Sequence, residues 1–200
     1  MARAGTAIGI LIKRDLERKY GGTSCHYTSS IIRGKGIDGV AMEYILERHD
    51  ARAVQFVDGW TGKGAIGREL AAAALAYPGL SSGLAVLADP AKAAEKCGTH
   101  EDFLIASSCL NATVSGLMSR TFYREDIIQA GEFTGAMYYA HMIDQDLTDQ
   151  FIQTVEACFE FKEAHPTVQA GPKGRSGMDE VLEIGREFRI DDINLIKPSI

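Results

Sequence analysis

The chain has 200 residues, 46% of them hydrophobic, a net charge of −6 and a pI near 5.4, which allows one sizeable core and argues against a general nucleic-acid surface. No run approaches ~18 uninterrupted apolar residues, and the N-terminus lacks the basic, apolar and cleavage regions of a signal peptide. Cys25, Cys97, Cys109 and Cys158 form no CxxC pair, which disfavours a zinc knuckle or disulfide scaffold; a cytoplasmic protein with reduced thiols and no membrane association is expected.

Residues 1–9 read as a loop. Ile8, Leu11, Ile12 and Leu16 then give an apolar helical face, with Lys13, Arg14, Glu17, Arg18 and Lys19 outside it and Gly21-Gly22 as the stop. Arg3 and Gly5 thus sit just ahead of a helix N-terminus, which is either an anion site or a plain terminal fray. Residues 25–32, CHYTSSII, are β-prone and run into Arg33, Gly34, Lys35 and Gly36, where two cations among glycines make a mobile basic loop or a solvated turn. A helix is predicted over 40–47, with Val40 and Tyr44 inward and Ile45 and Leu46 as further inward candidates.

The most informative stretch is 53–70, AVQFVDGWTGKGAIGREL. It reads as a buried strand over 54–57, the carboxylate of Asp58, a loop of Gly59, Trp60, Thr61, Gly62, Lys63 and Gly64, and a helix from Ala65. Free amides, the helix dipole, the Thr61 hydroxyl and the Lys63 charge converge there, an arrangement that suits a phosphate, although an ordinary strand-to-helix turn has the same outline. The spacing is not GxxxxGK[ST], and Gly62, Gly64 and Gly67 fit a dinucleotide fingerprint poorly because the acid precedes the loop. The helix from 65 is stopped by Pro78-Gly79. Residues 84–88, LAVLA, give another buried parallel strand, closed by Asp89-Pro90 at the end where α/β sites collect. Alternating helices and strands predict a parallel sheet with helices on both faces.

Over 100–123 small polar residues (Ser107, Ser108, Asn111, Thr113, Ser115, Ser119) lie among apolar ones, lining a pocket or permitting close packing. A strand is expected over 136–140, an amphipathic helix over 147–161, a linker over 162–177, a helix over 178–188 and an edge segment over 193–196. The expected organisation is a main domain over 1–161, the linker, and a C-terminal piece over 178–200.

The blocks ARAGTAIGILIKR, HYTSSIIRGKGID, VDGWTGKGAI, LAVLADPA and LNATVSGLMSRT together resemble the phosphoribosyltransferase-like proteins of tellurite-resistance gene clusters, whose relatives are also described as StiP-type cysteine proteases. The resemblance spans Ala2 to about Phe159. It implies a type I phosphoribosyltransferase fold and an enzyme that uses phosphoribosyl pyrophosphate and an unidentified base to make a nucleoside-like metabolite in a stress response. Carried onto this chain, it assigns Arg3, Ala4, Gly5 and Thr6 to pyrophosphate, and Asp58, Gly59, Trp60, Thr61, Gly62, Lys63 and Gly64 to ribose and phosphate. Asp58, Arg33 and Lys35 become the catalytic groups, the cations serving the departing pyrophosphate with Mg2+ as the expected cofactor. In that fold a strand precedes the pyrophosphate loop. Its absence predicts an open sheet edge beside the strand ending at Asp58, filled by a second copy or by a missing N-terminal segment.

Two other readings stay open. In a cysteine hydrolase, Cys109 is the nucleophile, with His26, His100 or His141 as base and Asn111 or an aspartate orienting it, although a cysteine among small residues is also simply packed. In the other, the chain binds a phosphorylated sugar or nucleotide without turnover.

Overall fold

Helix α1 spans Ala4–Tyr20 in the structure, a computed structural model that describes residues 4–32, 34–102, 121–136, 140–160, 177–192 and 195. Lys13–Glu17 and Asp15–Lys19 pairs one turn apart support its exposed side, and Arg18 and Lys19 sit at the negative end of its dipole. The predicted loop over residues 4–9 is therefore helical. Gly5, Thr6, Ala7, Ile8, Gly9 and Leu11 are buried, whereas Ile12 and Leu16 are exposed, so the apolar face is rotated toward the N-terminus. The small residues of the first turns let α1 pack closely against the sheet.

Of the β-prone segment only the end is strand: β1 (Ile31–Ile32) forms an antiparallel hairpin with β2 (Gly36–Ile37). Helix α2 (Gly39–Leu46) starts at Asp38, whose carboxylate accepts from the Ala41 amide and also from the amide and hydroxyl of Thr134. It buries Ala41, Met42 and Ile45, so of the residues expected inward Ile45 is buried and Val40 and Leu46 are half-buried; Tyr44 lies at the rim, edge-on to Tyr27 and Phe133 and beneath Arg48.

The main sheet has the order β3-β4-β5, with β3 at Phe56–Trp60, β4 at Leu84–Ala88 and β5 at Lys96–Thr99, all parallel. Its registers align Phe56 with Leu84, Asp58 with Val86 and Val86 with Cys97. Because side chains alternate along a strand, these residues share one face. Met42 and Ile45 from α2 and Leu70 from α3 (Ala65–Ala74) join Phe56, Leu84, Val86 and Cys97 in the principal core. The parallel pair and its helices agree with the α/β expectation.

Helix α1 packs against β3 and against α4 (Thr148–Ala157), where Ala7, Leu11 and Ile152 make a second cluster and Arg14 pairs with Glu156. Two short strands, β6 (Thr121–Phe122) and β7 (Gly135–Ala136), pair antiparallel; of the strand expected over 136–140, Ala136 ends β7, Ala140 opens a 3-10 segment, Ala140–Gln145, and 137–139 lie outside the described residues. Helix α5 spans Gly177–Glu187. The linker expected over 162–177 lies outside the described residues except for Gly177, which opens α5, and most of the edge segment over 193–196 lies outside them too. Among the described residues no helix is long and apolar enough to cross a membrane.

Leu70 is 1% exposed and bridges α3 to the strands. Leu70→Ala is expected to cost about 2–5 kcal/mol. In urea titrations this is a lower midpoint with unchanged slope.

Candidate active site

Strand β4 returns to its parallel neighbour β5 through residues 89–95 alone, far less chain than the dozen or more residues such a crossover usually takes. Asp89 makes this possible. Its carboxylate accepts from the amides of Ala93 and Ala94, at 2.8 Å each, which folds the crossover onto itself. Its amide donates to the Thr99 carbonyl at 2.9 Å, and its carbonyl accepts from the Lys92 amide. Asp89 is fully buried, and its backbone and carboxylate are both engaged in the short connection.

The same residue orients an imidazole. His100, just past β5, places Nδ1 2.9 Å from the Asp89 carbonyl oxygen. A carbonyl only accepts, so Nδ1 carries the proton and Nε2 presents its lone pair. The Cys97 sulfur lies 3.8 Å from that Nε2 and 3.6 Å from Nδ1, within reach of a thiol-to-imidazole proton transfer. Burial, reinforced by the nearby Asp89 carboxylate, pushes the Cys97 thiol above its ordinary range, so the resting form is the thiol. A donor oxygen of Asp89, the Cys97 sulfur and a His100 nitrogen lie within 4.8 Å of one another. Thiol, imidazole and carboxylate make a set suited to zinc-class cations rather than to Mg2+.

The glycine stretch ends beside this group. Asp58, Gly59 and Trp60 belong to β3 rather than to a loop, and the ladder continues to Thr61, whose amide donates to the Ala88 carbonyl. Thr61 is buried, and only Gly62, Lys63 and Gly64 remain as a turn. The Trp60 ring lies over Gly62, and Gly64, at φ +69°, caps α3 in a left-handed conformation and approaches Ala93 of the crossover. Asp58 is half-buried, with Oδ1 accepting from the Gly59 amide. Trp60 Nε1 donates to Asp102, two residues beyond His100, at 3.0 Å. Arg68 donates to the Lys63 carbonyl at 2.5 Å.

The remaining sequence candidates lie elsewhere. Ala4, Gly5 and Thr6 are in the first turns of α1, and the Thr6 hydroxyl bonds that of Thr28, so they form no separate loop. Lys35, on the β1–β2 turn, is paired with Glu125 over the Tyr123 ring and borders a depression of about 400 Å3 against α3. Arg3, Arg33, Cys109 and Asn111 lie outside the described residues. His141 is exposed on the 3-10 segment, and His26 rests on α1 at Gly9, where a Cβ would come within 2.4 Å of its Nε2. Of the three candidate bases only His100 meets a described cysteine. Sequence reasoning missed Cys97 as its partner; the available signal was the Cys-x-x-His spacing one crossover after Asp89.

The family model described as "Tellurite-like stress resistance cysteine protease StiP" matches residues 1–156. The chain belongs to the StiP family. A curated relative, "Cysteine protease StiP" of Acinetobacter baylyi, is 35% identical over 214 aligned positions, which cover 99% of this StiP-family chain and 56% of the relative. The chain thus spans little more than half of that relative's length. No solved structure matches it. The StiP side of the resemblance, with its link to tellurite-like stress, therefore holds. The phosphoribosyltransferase side is corrected, and with it the expected glycosyltransferase activity, since both matched descriptions name a cysteine protease.

Two predictions follow the geometry of this StiP-family site. Asp89→Asn replaces one acceptor oxygen by an NH2 that meets an amide donor, and is expected to cost about 1–3 kcal/mol in chemical denaturation while speeding alkylation of Cys97. His26 is held below its ordinary pKa, first by burial and then by nearby positive charge that includes Lys13. Its folded value is depressed, so the unfolded chain binds the proton more readily. The stability from the neutral ring is present above the ordinary histidine range and lost as pH falls through the lowered value. Denaturation curves between pH 7 and 5 should show this loss in the wild type and a flatter profile in His26→Gln.

Proposed function

We propose that the chain carries the nucleophile and base of a thiol-dependent hydrolase that cleaves peptide bonds in tellurite-like stress resistance, with Cys97 as nucleophile and His100 as general base. One observation carries the reading: Cys97 Sγ lies 3.6 and 3.8 Å from the two ring nitrogens of His100, of which Nδ1 is committed to the Asp89 carbonyl and Nε2 is left to take a proton. This is the division of roles found wherever a nucleophile is activated by a base that a third group orients. The names of the family model and of the curated relative support the same chemistry.

In the first step the Cys97 S–H proton passes to Nε2 as sulfur attacks the substrate carbonyl carbon, and the carbonyl π pair moves to oxygen. Collapse of the adduct breaks the C–N bond, and the leaving amine takes the proton from Nε2. Water then attacks the thioester carbon as Nε2 accepts its proton, and collapse of that adduct breaks the C–S bond while Nε2 returns the proton to sulfur. The imidazolium formed in each half keeps its Nδ1–H on the Asp89 carbonyl. Asp89 is a positioning residue that fixes the tautomer and the loop. The raised thiol pKa makes the reaction depend on this base, because little thiolate forms without it. The reaction needs reduced thiols, which accords with a cytoplasmic setting and with the unpaired Cys25, Cys97 and Cys158.

For the architecture we propose a type I phosphoribosyltransferase-like sheet put to this other chemistry. The run of β3, glycine turn and α3 supports it.

The test is hydrolysis of a fluorogenic peptide library by the full chain. Cys97→Ala is expected to abolish turnover, and His100→Gln to lower kcat by about 10²–10⁴-fold. If Cys109→Ala abolishes turnover and Cys97→Ala spares it, the nucleophile is Cys109. Turnover that survives both variants and prior alkylation would rule out a thiol mechanism.

A further inference from the structure

We propose that Asp89, Cys97 and His100 form a binding site for one zinc-class divalent cation, and that the cation reversibly blocks the nucleophile. The binding stands on geometry alone, whereas the blocking rests on the cysteine-protease reading.

Three observations converge on the site. First, the separation fits. With Zn–S near 2.3 Å and Zn–N near 2.0–2.1 Å at a tetrahedral angle, sulfur and nitrogen ligands lie about 3.5 Å apart. Cys97 Sγ and His100 Nε2 are 3.8 Å apart, near that spacing, and a turn of the Cys97 side chain about its Cα–Cβ bond, from its place 3.6 Å from Nδ1 toward the Nε2 lone pair, lets one ion reach both. Second, the outer support is in place. His100 Nδ1 donates to the Asp89 carbonyl, as a metal-bound histidine's second nitrogen usually does, and this leaves Nε2 as the ligating atom. The two amides on the Asp89 carboxylate hold it in the same way, and each of its oxygens keeps a lone pair for a metal. Third, Asp89 is fully buried, and its described bonds come from neutral amides. A buried carboxylate is ordinarily balanced by a cation or a metal.

Binding would exchange the Cys97 proton for a metal–sulfur bond, with the proton released to solvent and water filling the fourth position. No oxidant or reductant is needed. The same sulfur and the same Nε2 lone pair are the groups the hydrolytic step uses. Cation and peptide therefore compete for them.

The experiment uses the full chain carrying Cys25→Ser and Cys158→Ser, which remove the thiols exposed among the described residues, stripped with chelator and titrated with Co2+. The expected result is a thiolate-to-cobalt charge-transfer band that saturates at one equivalent and is displaced by Zn2+. Cys97→Ser should remove the band. His100→Gln should keep a band but weaken binding at least about tenfold, which serves as the second variant if the serine substitution disturbs folding. Absence of the band, or a band undiminished by Cys97→Ser, overturns the site. Peptide hydrolysis by the same protein scores the other reading separately. Cys97-dependent hydrolysis without a cobalt band would sink the metal site and leave the hydrolase standing, and a Cys97-dependent band without hydrolysis would do the reverse. With both present, Zn2+ should inhibit and chelator should restore the rate; hydrolysis indifferent to saturating Zn2+ overturns the blocking.

Discussion

Everything at the C-terminal end of this sheet depends on the grip of one buried carboxylate on two backbone amides. Parallel strands β4 and β5 must start at the same end, so the chain has to travel back the length of a strand between them, and residues 89–95 leave almost no slack for that return. The Asp89 bonds to Ala93 and Ala94 fold the first half of this segment into a tight loop, in which Lys92 takes a positive φ of 53°. A side chain bearing a Cβ is strained there, and the loop persists because its surroundings over-determine it. With the loop fixed, Val86 aligns with Cys97 and Ala88 with Thr99, and that register brings His100 back over Asp89.

The electrostatics of the group hold the thiol protonated. Burial, and with it the nearby carboxylate, opposes loss of the Cys97 proton. In the proposed reaction, charge therefore develops at sulfur only when proton transfer and bond formation occur together. A site of this kind is quiet toward solvent electrophiles, and Cys97, 6% exposed inside the core, is shielded as well. A cation reverses the balance by stabilising the thiolate directly. On the readings proposed above, the same three side chains serve a guarded nucleophile and a metal-closed form.

The sheet was legible wherever burial wrote an apolar run. The strands at 54–57 and 84–88 and the alanine-rich helix between them are found as β3, β4 and α3, and the α/β class follows from their alternation. Strand β5 was not legible, because Lys96, Cys97, Gly98 and Thr99 carry no apolar run and follow a crossover shorter than parallel pairing ordinarily permits. Missing β5 meant missing Cys97 as a site residue. His100 was named as a base, but for Cys109, because only the fold sets sulfur and imidazole face to face. Gly59 and Trp60 misled in the opposite sense. Glycine next to a carboxylate reads as a loop, but hydrogen bonding to β4 carries the strand through both residues to Thr61. Over α1 the same local logic failed at Ala4–Thr6, where small residues looked like loop and instead permit close packing on β3.

The glycine turn still belongs to the functional end of the molecule, by adjacency. Gly64 approaches Ala93, one of the two residues whose amides Asp89 holds, so the turn that starts α3 buttresses the crossover from outside. On its other side Trp60 lies over Gly62 and reaches Asp102, which ties the end of β3 to the segment that carries His100. The imidazole is thus held from below by the Asp89 carbonyl and its chain segment from the side by Trp60. A group positioned by rigid strand ends and short bonded loops keeps its geometry better than one on a free loop. The most glycine-rich stretch of the sequence has this bracing role, whereas Cys97 sits in a four-residue strand that composition alone gave no reason to notice.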